Sequence, residues 1–381
     1  MFKSTSNRRL LSAVVIASVS VATGCLDNTV DPEAVAAQVA AAGTVTPELV
    51  PPPMSTYGAP GSNWQYDFQD DATFLITRSE RPGMDIDLSV SGTYQVTDAG
   101  FVSMAVDASS GIDAPGVGDV MWAVEVPDVV LVVSPVATSD DNFIAMVPGG
   151  ECVSSDLGNN WITVRAQASG DATSAEGSYF GSMIYQQSAG FTSLTTQYAL
   201  TTGNPDQGSS DLGNGYCDAG IVATATSDVY LGPQGSATVR ANVDDASEQT
   251  VFSLPKATIG SIVDFDGSYS GVKSDDGASL DGKVVPVVVT CNAGICTGDV
   301  VSDVSTGTTG NEPFTVDLSG SINVPAIGLT TGQLQVGGSN GNMGCMLAAN
   351  LDNNGSRMIS CAGQSPTRDY RLFNLILTSN D

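Results

Sequence analysis

An all-β chain of antiparallel, sandwich-like or barrel-like domains is predicted by three observations. Apolar and polar residues alternate with the period of two that a half-buried strand requires. The alternating segments are separated by clusters of Gly, Asn, Asp, Ser and Pro, such as Asn204 to Gly215, the composition of turns and loops. Cysteines flank two short turn-forming runs, as they do when they face each other across a hairpin. With 381 residues, 41% of them hydrophobic, the chain is long enough for about two domains with buried cores.

The strands can be taken in order. Trp64, Tyr66 and Phe68 open the series, and the clearest member follows: Ile86, Leu88, Val90, Gly92, Tyr94 and Val96, interleaved with Asp87, Ser89, Ser91, Thr93 and Gln95. Val102, Met104 and Val106 repeat the period, as do Val120, Trp122, Val124 and Val126, and later Val285, Val287 and Val289. Periodicity reports one buried face and not how sheet edges are managed, so sandwich and barrel remain equally open. Gly92-Thr93-Tyr94, Gly177-Ser178-Tyr179 and Gly267-Ser268-Tyr269 form a faint internal echo. Were it a repeat, each would open a similar β unit, as the Gly-x-aromatic opening does in lipocalin-like barrels. The accompanying lipocalin motifs are absent, and chance recurrence in a chain rich in Gly, Ser and Thr is the simpler reading. Trp64, Trp122 and Trp161 lie in the first half and two of three expected disulfides in the last third. The expected division is therefore an N-terminal β domain over 62–256 and a disulfide-braced C-terminal β domain over 257–381.

Ahead of the strands, Lys3, Arg8 and Arg9 precede an apolar run from Leu10 to Ala22 and a small-residue stretch ending at Cys25. That run falls short of the roughly 20 residues a helix needs to cross a bilayer, so residues 1–24 read as a secretory signal. Ala22-Thr23-Gly24-Cys25 resembles the lipobox of bacterial lipoproteins, with Ala22 standing where leucine is usual. The resemblance covers this segment alone, and no family is recognised for residues 26–381. It implies that Cys25 becomes the acylated, palmitate-bearing N-terminus, a membrane anchor strengthened by about 0.8 kcal/mol per buried CH₂. Leu26, in place of an aspartate after the cysteine, implies sorting to the outer membrane, with the periplasmic or surface face left open. Residues 25–61 read as a tether. Asp31-Pro32-Glu33 has the signature of a helix start, the alanine-rich run stops at Gly43, and Pro47, Pro51, Pro52 and Pro53 favour an extended linker.

Composition excludes several chemistries. The chain has no histidine, which removes the imidazole base of serine and cysteine hydrolases and the usual zinc ligand. Its formal charge is −28, and loss of residues 1–24 would leave 10 basic against 41 acidic side chains, or −31. Such a surface repels phosphate backbones, so nucleic acid is not an expected partner. Lys3, Lys256, Lys273 and Lys283 are the only lysines, a balance suited to salty surroundings that screen the repulsion.

Beyond Cys25, six cysteines in an exported chain imply up to three disulfides among 15 formal connectivities. Cys291 and Cys296 flank a turn at Ala293-Gly294, and Cys345 and Cys361 are symmetric about Asn353 in the run Asp352-Asn353-Asn354-Gly355. Cys152 and Cys217 then pair by elimination. Their spacings are not those of zinc knuckles.

Three catalytic patterns are present and each is incomplete. Gly337-Gly338-Ser339-Asn340-Gly341 matches G-x-S-x-G, yet a nucleophile elbow needs a following helix and a histidine. Ser253 to Lys256 and Ser270 to Lys273 match S-x-x-K without the partner motifs of Ser-Lys enzymes. Asp140-Asp141, Asp244-Asp245 and Asp275-Asp276 would supply paired carboxylates to a glycosidase, but solvated loop charge is the commoner explanation. No cofactor is expected beyond structural calcium, for which Asp264, Asp266, Asp352 and Asn354 are weak candidates.

The function expected from these readings is a non-catalytic, outer-membrane-anchored lipoprotein. It would bind a hydrophobic small molecule in a β interior or assist an outer-membrane transporter or other envelope uptake complex. Phe101, Met104, Trp122 and Met146 lie in strands that could line such an interior, though core packing is their default role. The alternatives are a surface adhesion or structural envelope protein, and an acidic-residue hydrolase acting on polysaccharide.

Overall fold

The computed structural model describes residues 56–59, 64–79, 85–112, 114–127, 129–134, 144–148, 157–166, 179–186, 191–199, 205–206, 210–214, 217–218, 221–223, 227–232, 236–241, 249–256, 261–275, 284–319, 328–352, 354–367 and 372–380. The signal sequence, Cys25 and residues 26–55 of the expected tether lie outside them. Every strand pairing among the described residues is antiparallel.

The strands form two closed barrels and an open sheet. The first barrel comprises β1 (Thr56–Ala59), β2 (Trp64–Phe68), β3 (Thr73–Ser79), β4 (Ile86–Val96), β5 (Phe101–Gly111), β6 (Val120–Val126), β7 (Val130–Val133) and β8 (Ile144–Pro148). Each strand pairs with the next, and β8 returns to β1 through Tyr57↔Pro148 and Gly58↔Val147. Thr56–Ala59 falls within the expected tether over 25–61. It is instead a barrel strand, because four residues are too few for a period of two to show among neighbouring prolines.

The open sheet contains β9 (Leu157–Ala166), β10 (Tyr179–Gln186), β11 (Phe191–Ala199), β12 (Pro205–Asp206), β13 (Ser210–Asn214), β14 (Cys217–Asp218), β15 (Ile221–Ala223), β16 (Ser227–Leu231), β17 (Ala237–Ala241) and β18 (Gln249–Pro255). Their order is β12-β11-β10-β9-β18-β17-β16-β15-β14, with β13 also on β11. After a short 3-10 turn at Ile262–Phe265, the second barrel runs through β19 (Gly267–Asp275), β20 (Val284–Asn292), β21 (Ile295–Asp303), β22 (Thr308–Asp317), β23 (Leu329–Val336), β24 (Ser339–Ala348), β25 (Met358–Gln364) and β26 (Leu372–Ser379). Closure by β19 on β26 settles the choice between sandwich and barrel for this part, and it leaves no unpaired edge.

Alternation places one face of each strand inside. Trp64, Tyr66, Phe68, Phe74, Met104 and Met146 fill the first barrel, and Tyr269, Val287, Phe314, Leu347, Phe373 and Leu375 the second. Gly92 sits where β4 changes register against β5, and a Cβ there would collide with the carbonyl of Ala105. The echo tripeptides are not equivalent: Gly92 to Tyr94 lies within the fourth strand of its barrel, whereas Gly267 to Tyr269 opens the other. These two therefore mark no repeat of one unit, and Gly177 and Ser178 of the third tripeptide lie outside the described residues.

Outer faces form a third core. Phe101 and Val124 of the first barrel meet Ile162, Phe180 and Phe252 of the open sheet and Met346, Met358 and Ile376 of the second barrel. Residues Leu49–Asp381 make one compact unit. The Nδ2 of Asn374 donates to the Val164 carbonyl at 2.9 Å, the Ser236 hydroxyl to that of Val129 at 2.9 Å, and the Ser270 hydroxyl to that of Ala99. Phe180 lies so close to Gly344 that a Cβ there would strike its ring.

Candidate functional site

The cysteine register follows the hairpins. Ala293 and Gly294 both have positive φ, 51° and 82°, which is the type I′ geometry of a two-residue loop between Asn292 and Ile295. Cys291 thereby opposes Cys296, and the two are disulfide-bonded. Cys345 opposes Cys361 across β24 and β25 and is bonded to it. Both disulfides lie in the second barrel's interior core. Cys217 begins β14, while its expected pairing with Cys152, like the lipidation of Cys25, lies outside the described residues.

The catalytic patterns do not assemble. Gly337 and Gly338 are the positive-φ loop of the β23–β24 hairpin, and Ser339 starts a strand instead of a helix. Ser270 and Lys273 are three apart on β19 and so point to opposite faces: Ser270 donates to Ala99, while the Lys273 ammonium lies 6.0 Å from the Phe373 ring centre. Ser253 is buried and accepts from Asn159 Nδ2. Asp276 and the pairs Asp140-Asp141 and Asp244-Asp245 lie outside the described residues.

The calcium candidates brace turns. Asp264 accepts from the Ser261 N–H in a capping box, and Asp266 accepts from the Ala293 N–H at 2.7 Å. The carbonyls of both accept from Arg357 Nη1, at 2.9 and 2.7 Å, so their backbone oxygens are already engaged by a guanidinium. Asp352 Oδ1 accepts from the N–H groups of Asn354 and Ser356 at 3.0 and 2.8 Å. Among the described residues, no three His, Cys, Asp or Glu side chains converge as metal ligands.

Among the described residues a cleft of about 570 Å³ does assemble between the two barrels. Its floor is the outer face of β4, β5 and β6, where register sets two cross-strand rows side by side. Gln95 pairs with Ser103 and Ser103 with Trp122; Thr93 pairs with Ala105 and Ala105 with Val120. The central strand thus carries the small side chains and the flanking strands the larger ones, which makes a trough. Pro286 and the segment Val301 to Ser305 of the second barrel form the facing wall. The trough is shut at the Ser103 end, where Ala99 in the β4–β5 turn accepts from Ser270, and opens toward Val120, which is 56% exposed.

Its groups are held in place. Trp122 packs edge-on against Phe101 with centroids 6.2 Å apart, and its backbone exchanges hydrogen bonds with Ser134 at 3.1 and 2.8 Å. Asp303 is the one charged side chain among the described lining residues. It accepts from the Ser305 hydroxyl and N–H at 2.6 and 2.9 Å and from the Thr306 hydroxyl at 3.0 Å, which together hold its carboxyl below the usual carboxylate value of 3.8.

Of the residues considered for an interior ligand, Met104 and Met146 are interior core, Phe101 belongs to the core shared between sheets, and Trp122 lines the cleft from outside. Sequence reasoning did not anticipate the cleft. Its one local signal, small outward residues at 103 and 105 between larger ones, has meaning only once β4, β5 and β6 are known to be neighbours in register.

No protein-family model and no curated protein matches the chain. Among solved structures, the isotype 1 transferrin binding protein B (TbpB) from serogroup B Neisseria meningitidis matches over 84% of this chain at 9% identity, with a TM-score of 0.26. This chain spans 65% of that protein's length, and so loose a superposition transfers neither fold nor function.

Proposed function

We propose that the chain is a non-catalytic, lipid-anchored protein of the cell envelope that binds its ligand outside its barrels, in the cleft between them, and serves an uptake or transport assembly at the outer membrane. The observation that carries this reading is the placement of the concave surface. Both barrel interiors are filled by their own buried side chains, so the hydrophobic carrier as first expected, with its ligand inside a barrel, has its volume already occupied. The cleft, in contrast, combines an open mouth, a fixed aromatic ring and convergent polar groups, as small-molecule sites do. The lipobox-like Ala22-Thr23-Gly24-Cys25 and Leu26 support outer-membrane anchoring.

Native mass spectrometry of the mature chain purified from its own envelope tests the reading. A stoichiometric adduct is expected on the natural protein and none on Ala105→Trp, which fills the trough floor from an exposed strand position. An adduct-free natural protein, or an adduct retained by a folded Ala105→Trp variant, overturns the cleft assignment. Palmitate incorporation that disappears in Cys25→Ser is expected in parallel; its absence from the natural chain overturns the anchor.

A further inference from the structure

Resting on the cleft assignment, we infer that the ligand class of this site is a neutral saccharide. One flank of the trough, Trp122 with Val120, is apolar, while the opposite flank and the facing wall offer the Gln95 amide, the Thr93 and Ser305 hydroxyls and the Asp303 carboxylate. A pyranose has that same division, with C–H groups on its ring face and a belt of hydroxyls that both donate and accept. A purely apolar ligand would fill the same space only by stripping water from the amide, the hydroxyls and the carboxylate without replacing their hydrogen bonds, an unfavourable exchange.

Charge narrows the class further. Asp303 is an ionised carboxylate at neutral pH, held there by its own turn hydroxyls and N–H group, and no lysine or arginine is found among the described residues that line the cleft. A phosphate or uronate group would meet an uncompensated negative charge, whereas sugar hydroxyls can donate to it. The volume of about 570 Å³ lies in the range of small-molecule sites and leaves room for a short oligosaccharide entering from the open Val120 end. The wall is also preorganised. Ser302 donates to the Thr308 carbonyl at 3.0 Å and Asp303 is tied to Ser305 and Thr306, so little ordering remains to be done on binding.

The test is isothermal titration of the mature full-length chain with maltotriose, mannotriose, galactotriose and triacetylchitotriose, with trigalacturonic acid as the charged counterpart and palmitate as the apolar one. At least one neutral trisaccharide is expected to bind. Gln95→Ala and Trp122→Ala should each weaken that binding about tenfold or more, the scale of losing one well-made polar or aromatic contact. Trp122→Phe, which keeps a ring against Phe101, serves if the alanine variant fails to fold, with a smaller loss expected. The inference is overturned if no neutral trisaccharide binds, if trigalacturonic acid or palmitate binds more tightly, or if binding is unchanged in a folded Gln95→Ala protein. An adduct lost in Ala105→Trp but matched by no saccharide leaves the cleft assignment standing and removes only the saccharide class. Absence of both removes the two together.

Discussion

The two barrels solve the same packing problem with different materials. Each has eight antiparallel strands in sequential order, closed first to last. Each also carries an interior tyrosine whose hydroxyl donates to a backbone carbonyl, Tyr94 to Gln69 and Tyr269 to Phe265, and burial pushes both phenols up to about 12. The first barrel has no cysteine and fills its interior with Trp64, Tyr66, Phe68, Phe74 and Tyr94, with Phe68 edge-on to Tyr94 at 4.9 Å. The second also holds rings, Phe265, Tyr269, Phe314 and Phe373, and adds two interior disulfides that the first lacks. Closing a barrel of this size requires that its interior volume be filled, and rings with aliphatic side chains meet that need with or without cross-linked sulfurs among them. What differs is the unfolded state, which only the second barrel restricts covalently.

The largest effect should come from the first barrel's rings. Phe68→Ala is expected to destabilise by about 3–5 kcal/mol through the cavity it leaves. Hydrogen exchange should then show protection falling in β1–β8 more than in β19–β26. Equal loss in both would break the comparison and mean that the shared outer core makes the barrels unfold as one.

An effect somewhat smaller is expected from the second barrel's cross-links. Replacing Cys345 and Cys361 by alanine opens a loop of sequence separation 16, for which chain entropy gives about 3 kcal/mol; the Cys291–Cys296 pair, of separation 5, gives about 2 kcal/mol. Chemical denaturation of each double variant, read barrel by barrel through exchange, tests that order. A greater loss from the shorter loop would show that these bonds act through native packing more than through chain entropy.

The smallest effect concerns a device both barrels share. Asp71, in the β2–β3 turn, accepts from the Thr73 hydroxyl and N–H, as Asp303 does from Ser305 and Thr306. Both carboxyls are held below the usual 3.8 by these bonds, the side-chain hydroxyl contributing most. Because the folded value is depressed, the stabilising contribution is complete above pH 3.8 and is lost as pH falls through the lower folded value. Carboxyl NMR titration should place both midpoints below 3.8, and Asp71→Asn and Asp303→Asn should each remove one acid-dependent step, with a small loss of stability at neutral pH that vanishes in acid. A midpoint at or above 3.8 for either would refute its turn-bracing role.

Much of the architecture was legible because it is local. The alternation from Leu88 to Tyr94 turns the expected side chains inward, and the Ala293-Gly294 loop dictates the register that joins Cys291 to Cys296. A period of two and a two-residue loop are properties of a few neighbouring residues, so sequence alone determines strands, hairpins and the partners they bring face to face. The strand at Val120, Trp122, Val124 and Val126 marks where this ends. Met121 and Ala123 point into the barrel, so the apolar row that sequence displays is the outer one, buried at Val124 and Val126 against other sheets and exposed at Val120. Which face is inside, whether a sheet closes, and where two barrels leave a trough depend on contacts between residues far apart in the chain. Ser270 bonded to Ala99 and Phe180 seated on Gly344 are such contacts, and local periodicity carries no information about them. Tertiary packing alone therefore decided barrel over sandwich, and it alone brought Gln95, Trp122 and Asp303 to one cleft.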